Sequence, residues 1–239
     1  MIRHLRYAQA AGMILTRLPM GRIDGALPPL AHSVWAFPLI GAVLGLGMGL
    51  AYLAALGLGL PSLVGAFLAL GLGILATGGL HEDGLADMAD GFGGGHTVQR
   101  KLEIMRDSRI GSYGVLALIL VIGLTATAIE AAGGLTAFIA IGAASRTAIL
   151  LPMALLPPAR NDGLGHSAKL GWSRATSAAF VLTLAIAVAT QSILATLAIL
   201  ATALAFTLVA QRQIGGQTGD VLGATQKLSE CAGWLIVAA

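Results

Sequence analysis

The sequence predicts an all-α, polytopic helical membrane protein, with about seven transmembrane or partly embedded helices and an N-terminal interfacial helix. Three observations carry that expectation. Of 239 residues, 56% are hydrophobic and only 10% charged, against roughly 25% charged in soluble domains. The mean hydropathy is +0.85. Apolar runs of about 20 residues, the length needed to cross the hydrocarbon core, alternate with short Gly- and Pro-bearing turns. The 33 glycines supply small surfaces through which helices approach closely in lipid.

Residues 1–20 alternate basic and apolar positions, with Ile2, Leu5, Ala8, Met13 and Leu15 set against Arg3, Arg6 and Arg17. This pattern reads as an amphipathic helix at the interface. It has no continuous apolar core and does not read as a cleavable signal peptide. A linking segment from Arg22 to Ser33 contains Pro28-Pro29 and breaks regular structure. Spans are then expected at 34–58 and 62–80, followed by a polar stretch over 81–112. Further spans are expected at 113–132, 135–156, 175–190 and 193–210, and a last helix over 221–239 begins polar and ends apolar. A polar loop at 157–174 carries Arg160, Asp162, Gly163-Leu164-Gly165 and Lys169.

Charge orients this layout. With a cytoplasmic N-terminus, segments 1–33, 81–112, 157–174 and 211–220 share one side and carry four, four, three and one Lys or Arg. The opposite connections near 59–61, 133–134 and 191–192 carry none. Twelve against zero is a positive-inside pattern, and it places every polar motif on the cytoplasmic face. The net charge of +3 therefore reflects topology, and no nucleic-acid partner is expected. The single cysteine, Cys231, excludes an internal disulfide and any Cys-rich metal centre.

The chemistry concentrates in residues 81–114. They hold six of the eleven carboxylates: Glu82, Asp83, Asp87, Asp90, Glu103 and Asp107. Offsets of four and three put Asp83, Asp87 and Asp90 on one helical face, where like charges repel. Oxygen-only donors suit a hard cation, and Mg²⁺ usually combines one or two carboxylates with substrate phosphates. Gly84 and Gly91 permit close backbone approach, and Gly93-Gly94-Gly95 lets the chain fold back. Asp107 is a further ligand candidate. Arg106 and Arg109 suit phosphate oxygens through bidentate contacts, whereas Arg100 and Lys101 read as membrane-flanking anchors.

Other segments add candidates. Thr218-Gly219-Asp220 follows Gly215-Gly216. It can present backbone N–H groups to an anion or simply cap the last helix. Arg146 sits mid-span, where an ionisable residue costs at least ~2.5 kcal/mol on insertion scales and is functional by default. Its expected partner is a carboxylate of 81–114 or a substrate phosphate. Lys227 and Glu230 read as a local ion pair, Glu130 as a water-facing residue at a span end, and His81 as the one general-base candidate.

His81-Glu82-Asp83-Gly84-Leu85-Ala86-Asp87 through Asp90-Gly91, then Met105-Arg106-Asp107-Ser108-Arg109-Ile110-Gly111-Ser112-Tyr113-Gly114, resemble the cobalamin synthase family, the adenosylcobinamide-GDP ribazoletransferases. Leu15-Thr16-Arg17-Leu18-Pro19 and the run from Gly215 to Ala224 extend the resemblance over almost the whole chain in the right order. The resemblance implies one integral-membrane transferase domain over 1–239, multi-pass in the cell inner membrane. It implies a Mg²⁺-dependent enzyme joining α-ribazole, or its 5′-phosphate, to adenosylcobinamide-GDP with release of GMP. Metal binding falls on Asp83, Asp87, Asp90 and Asp107, the first three also catalytic. Arg106, Arg109, Arg146, Thr218, Gly219 and Asp220 are the substrate-binding candidates. The sequence sets no oligomeric state, and a homo-oligomer is compatible with it.

Rival readings fit less well. A CDP-alcohol phosphotransferase would carry Arg where Asp83-Gly84-Leu85-Ala86 is followed by Asp87. A UbiA-like prenyltransferase would need further acids after Asn161-Asp162. A cation-coupled transporter would place ionisable groups at the midplane and repeat its motif, and the 81–114 pattern occurs once.

Overall fold

Gly41 and Gly45 fix the closest helix crossing of the fold. A Cβ on either would fall 2.1 Å from the Gly142 carbonyl oxygen or 2.0 Å from that of Phe138. Only hydrogen at these positions lets two backbones touch, which is how small residues drive helix association in lipid. The computed structural model that carries this geometry describes residues 2–161 and 170–239. Asp162, Gly163-Leu164-Gly165 and Lys169 lie outside the described residues.

In chain order the helices are α1 (Ile2–Leu15), α2 (Leu30–Gly57), α3 (Ser62–Thr77), α4 (Leu80–Gly94), α5 (Val98–Ile104) and α6 (Ser112–Ala132). There follow α7 (Leu135–Leu155), α8 (Arg174–Ala189), α9 (Ile193–Ile214) and α10 (Gly219–Ala238). The fold is all-α. The one strand-like feature among the described residues is an isolated parallel bridge between Pro158 and Gln217.

Among the described residues four helices, α2, α6, α7 and α9, are long and apolar enough to cross a membrane, or five if the bent pair α3–α4 is one broken span. Length and apolarity therefore do not establish a count of seven. Helices α3 and α8 have 16 residues each, and α10 carries Asp220, Lys227 and Glu230.

The expected second span stops early. Gly78 and Gly79 both take positive φ, +68° and +70°, which glycine alone adopts without cost, and α4 leaves α3 at 91°. The polar helix is thereby turned away from its apolar predecessor. Helix α1 packs Ala11 and Leu15 into a core with Phe37, Ile149, Met153 and Leu222, while Leu5, Met13 and Ile14 stay exposed.

The four segments expected on one side do meet at one end. The Arg17 N–H donates to the Ala76 carbonyl (2.7 Å) and the Ala159 N–H to that of Gln217 (2.9 Å). Arg160 reaches the Leu102 carbonyl at 2.8 Å. Ser62 and Glu130 pair at 3.4 Å, joining two of the opposite ends.

Candidate active site

Helices α4 and α10 cross where both lack a side chain. A Cβ on Gly84 would stand 2.9 Å from the Asp220 carbonyl oxygen and 3.2 Å from the Gly223 Cα. This contact sets the start of α10 against the first turns of α4, and so Asp220 against Asp83 and Asp87. Asp83 is exposed, while Asp87 and Asp220 are half-buried. Burial pushes the Asp87 carboxyl up to about 7, and the charges of Asp83, Asp220 and Asp90 add to it; Arg160 opposes. Crowded carboxylates with too little positive charge behave this way.

Arg160 is the basic residue that α10 recruits, lying 3.5 Å from Asp220 Oδ2. The Thr218 hydroxyl accepts the Val221 N–H (3.3 Å) as N-cap and donates to Asp220 Oδ2 (3.2 Å). The capping reading of this turn is thus realised, and it also aims Asp220.

Asp90 is used differently from its two neighbours. Its Oδ2 accepts the Gly111 N–H at 2.7 Å and its Oδ1 the Gly114 N–H at 2.9 Å, closing the N-terminus of α6. A Cβ on Gly111 would lie 2.4 Å from Asp90 Oδ1, so the Gly-Ser-Tyr-Gly spacing fits this carboxylate. Asp107 and Arg109 pair with each other at 2.7 Å. The Arg109 side chain is 87% exposed, and its hydrogen bonds hold Asp107 down at about 2. No described contact joins Asp107 to Asp83, Asp87 or Asp90. Arg106 lines a separate cleft of about 310 Å³ with Glu103 and Arg160.

Arg146 is buried and turned to the last helix: Nη1 lies 3.0 Å from the Ser145 hydroxyl and 3.8 Å from Glu230 Oε1. Lys227 bridges Glu230 Oε2 (3.0 Å) and Glu82 Oε1 (3.1 Å), and Gln226 donates to Glu230 at 2.8 Å. The expected local pair of Lys227 and Glu230 is thus one part of a buried network that ties α4, α7 and α10 together. His81, 3% exposed, lies beside it. Besides Arg160, two residues outside the site expected from the sequence belong with it. Arg17 and Glu82 line an opening of about 500 Å³ with Asp83, and the placement of Arg17 depends on the turn at Gly78.

A sequence profile described as cobalamin-5-phosphate synthase matches residues 8–238. The chain belongs to that family. Among curated relatives, the adenosylcobinamide-GDP ribazoletransferase of Bradyrhizobium diazoefficiens is 45% identical over 96% of this chain and 92% of its own length. The protein of that name from Azorhizobium caulinodans is 42% identical, over 97% and 96%. The one from Mesorhizobium japonicum is 41% identical, over 94% and 89%. No solved structure matches significantly. Membership in the cobalamin-5-phosphate synthase family agrees with the motif resemblance and makes the chain a transferase enzyme of cobalamin biosynthesis.

Proposed function

We propose that this chain joins α-ribazole, or its 5′-phosphate, to adenosylcobinamide-GDP with release of GMP, at the cytoplasmic face of the cell inner membrane. The observation that carries this reading is the α4–α10 crossing, which sets Asp83 and Asp87 opposite Asp220 beside Arg17 and Arg160. The family and the names of its relatives supply the substrates, and the twelve-to-zero charge asymmetry supports the side.

The donor set fits Mg²⁺ in type: carboxylate oxygens alone suit a hard cation, and Asp87 is raised first by burial and then by the neighbouring carboxylates. Among the described residues no three His, Cys, Asp or Glu side chains converge closely enough to hold an ion, so a bound ion would have to draw the carboxylates together. Asp83, Asp87 and Asp220 would hold it, and a bound ion would supply charge neutralisation at the transferring phosphoryl group. Asp90 supports the site by fixing α6, and Asp107 and Arg109 close their loop on each other.

The residues of the chain position and neutralise, which is most of what phosphoryl transfer requires. The ribose hydroxyl oxygen bonds to the phosphorus bearing the corrinoid side arm. The bridging P–O bond to GMP breaks, and GMP leaves with the electron pair. The hydroxyl proton passes to one of the carboxylates. Arg17 and Arg160 are placed to meet diphosphate oxygens. The test is GMP release from adenosylcobinamide-GDP and α-ribazole by detergent-solubilised protein with Mg²⁺, abolished by EDTA and restored by excess Mg²⁺. Folded protein that releases no GMP would overturn the reading.

A further inference from the structure

Two cavities share Leu80 and Asp83 as lining residues, and their chemistry differs. The first, of about 500 Å³, is edged by Arg17 and Glu82. The second, of about 460 Å³, has walls of Leu15, Phe37, Ile149, Met153 and Leu222, and Asp83 and Asp220 are the charged residues at its margin. Among the described residues no Lys or Arg lines it. A two-substrate transferase needs two binding regions that meet at the reacting atoms, and here they meet at Asp83.

We propose that the second cavity is the acceptor subsite: it takes the aromatic base of the ribazole nucleoside against its apolar wall and leaves the ribose hydroxyls at Asp83 and Asp220. The inference rests on the proposed function and adds which substrate lies on which side of Asp83.

Size and charge select this occupant. A volume near 460 Å³ falls in the range of roughly 300–1,000 Å³ that encloses ligands of drug size. That suits a nucleoside, whereas a GDP-bearing corrinoid is far larger. Arg17, a cation suited to diphosphate oxygens, lines the other cavity, whereas the wall of this one is mostly apolar. Asp83 and Asp220 offer carboxylate oxygens beside the apolar wall, an arrangement that suits a molecule with hydroxyl groups at one end and an apolar body at the other. A ribonucleoside with an apolar base does both. A lipid tail would satisfy the wall and leave Asp83 and Asp220 without hydroxyl donors.

Steady-state GMP release, with each substrate varied in turn, tests the assignment on full-length protein in detergent. Met153→Trp and Ile149→Trp fill the apolar wall. The expected result is a KM for α-ribazole raised by roughly tenfold or more, the scale on which pocket shape discriminates, with the KM for adenosylcobinamide-GDP changed less than about twofold. α-Ribazole added alone should raise the melting temperature of the wild type and not of Met153→Trp. A folded variant with an unchanged ribazole KM, or with both KM values raised equally, overturns the subsite. If the Trp variants do not fold, Met153→Ala widens the same wall and must give the same split. Wild-type protein that releases no GMP overturns the proposed function instead, so the two failures are distinguishable.

Discussion

Lys227 Nζ lies 3.1 Å from Glu82 Oε1, and this contact holds α10 to α4 one residue before Asp83. Both side chains are largely buried, 8% and 13% exposed, and Lys227 also reaches Glu230 at 3.0 Å. Removing one partner of a buried pair strands the other, at a cost of about 3–5 kcal/mol. Lys227→Met is therefore expected to lower the melting temperature sharply. Glu82→Gln combined with Lys227→Met should cost less than the two single changes added together, which a double-mutant cycle on thermal unfolding in detergent measures. Equal stability of Lys227→Met and wild type would remove the network from the account.

Gly84→Ala tests the crossing itself. The new Cβ would stand 2.9 Å from the Asp220 carbonyl oxygen, a backbone atom that cannot swing aside, so α10 must shift away from α4. Misplacement on the scale of 1 Å costs about a hundredfold in rate. GMP release should fall by one to two orders of magnitude, roughly, while the protein still inserts and elutes as a single species. Normal turnover by Gly84→Ala would show that Asp220 need not face Asp83 and Asp87.

Asp87 and Asp90 should separate in kind. Asp87→Asn keeps shape and removes a charge that its neighbours already oppose, so membrane insertion and stability persist while turnover is lost. Asp90→Asn replaces one acceptor oxygen with a donor facing the Gly111 or Gly114 N–H. Leaving a buried N–H without its acceptor costs about 1–3 kcal/mol, so this variant loses stability first. Circular dichroism melts beside GMP release read the two effects apart. The assignment fails if Asp87→Asn turns over normally.

The helices were legible because glycine, proline and apolar length mark them: the expected 135–156 and 193–210 spans became Leu135–Leu155 and Ile193–Ile214. The acid cluster was legible through its spacing on one helix. The 91° turn at Gly78–Gly79 was not, because the apolar pattern runs on through Leu80 and only the backbone reveals two successive left-handed glycines. The same sequence spacing that groups Asp83, Asp87 and Asp90 could not show that Asp90 faces α6. Nor could it show that Arg146, 84 positions before Glu230, meets it. Those contacts depend on which helices neighbour one another. Arg17 reads in sequence as one more interfacial cation, and it joins the site through its backbone bond to Ala76.

The raised Asp87 carboxyl makes a prediction about pH in metal-free protein. Its folded value lies near 7, above the unfolded value of about 3.9, so the folded state binds the proton more tightly than the unfolded state does. Below about pH 4 both states are protonated and Asp87 costs the fold nothing. Between there and 7 the unfolded chain gives up the proton and the folded chain keeps it, so stability falls as pH rises. His81, lowered to about 3 by burial, pulls the other way, so the Asp87 contribution is read as a difference. In EDTA the melting temperature of Asp87→Asn relative to wild type should climb from pH 5 to pH 7, roughly the window between the two Asp87 values. Added Mg²⁺ should lift the wild-type melting temperature more at pH 8 than at pH 6, roughly either side of the folded value, because a ligand must be deprotonated to bind. A variant that keeps a constant offset from the wild type across this range in EDTA would show that Asp87 is not the group under strain.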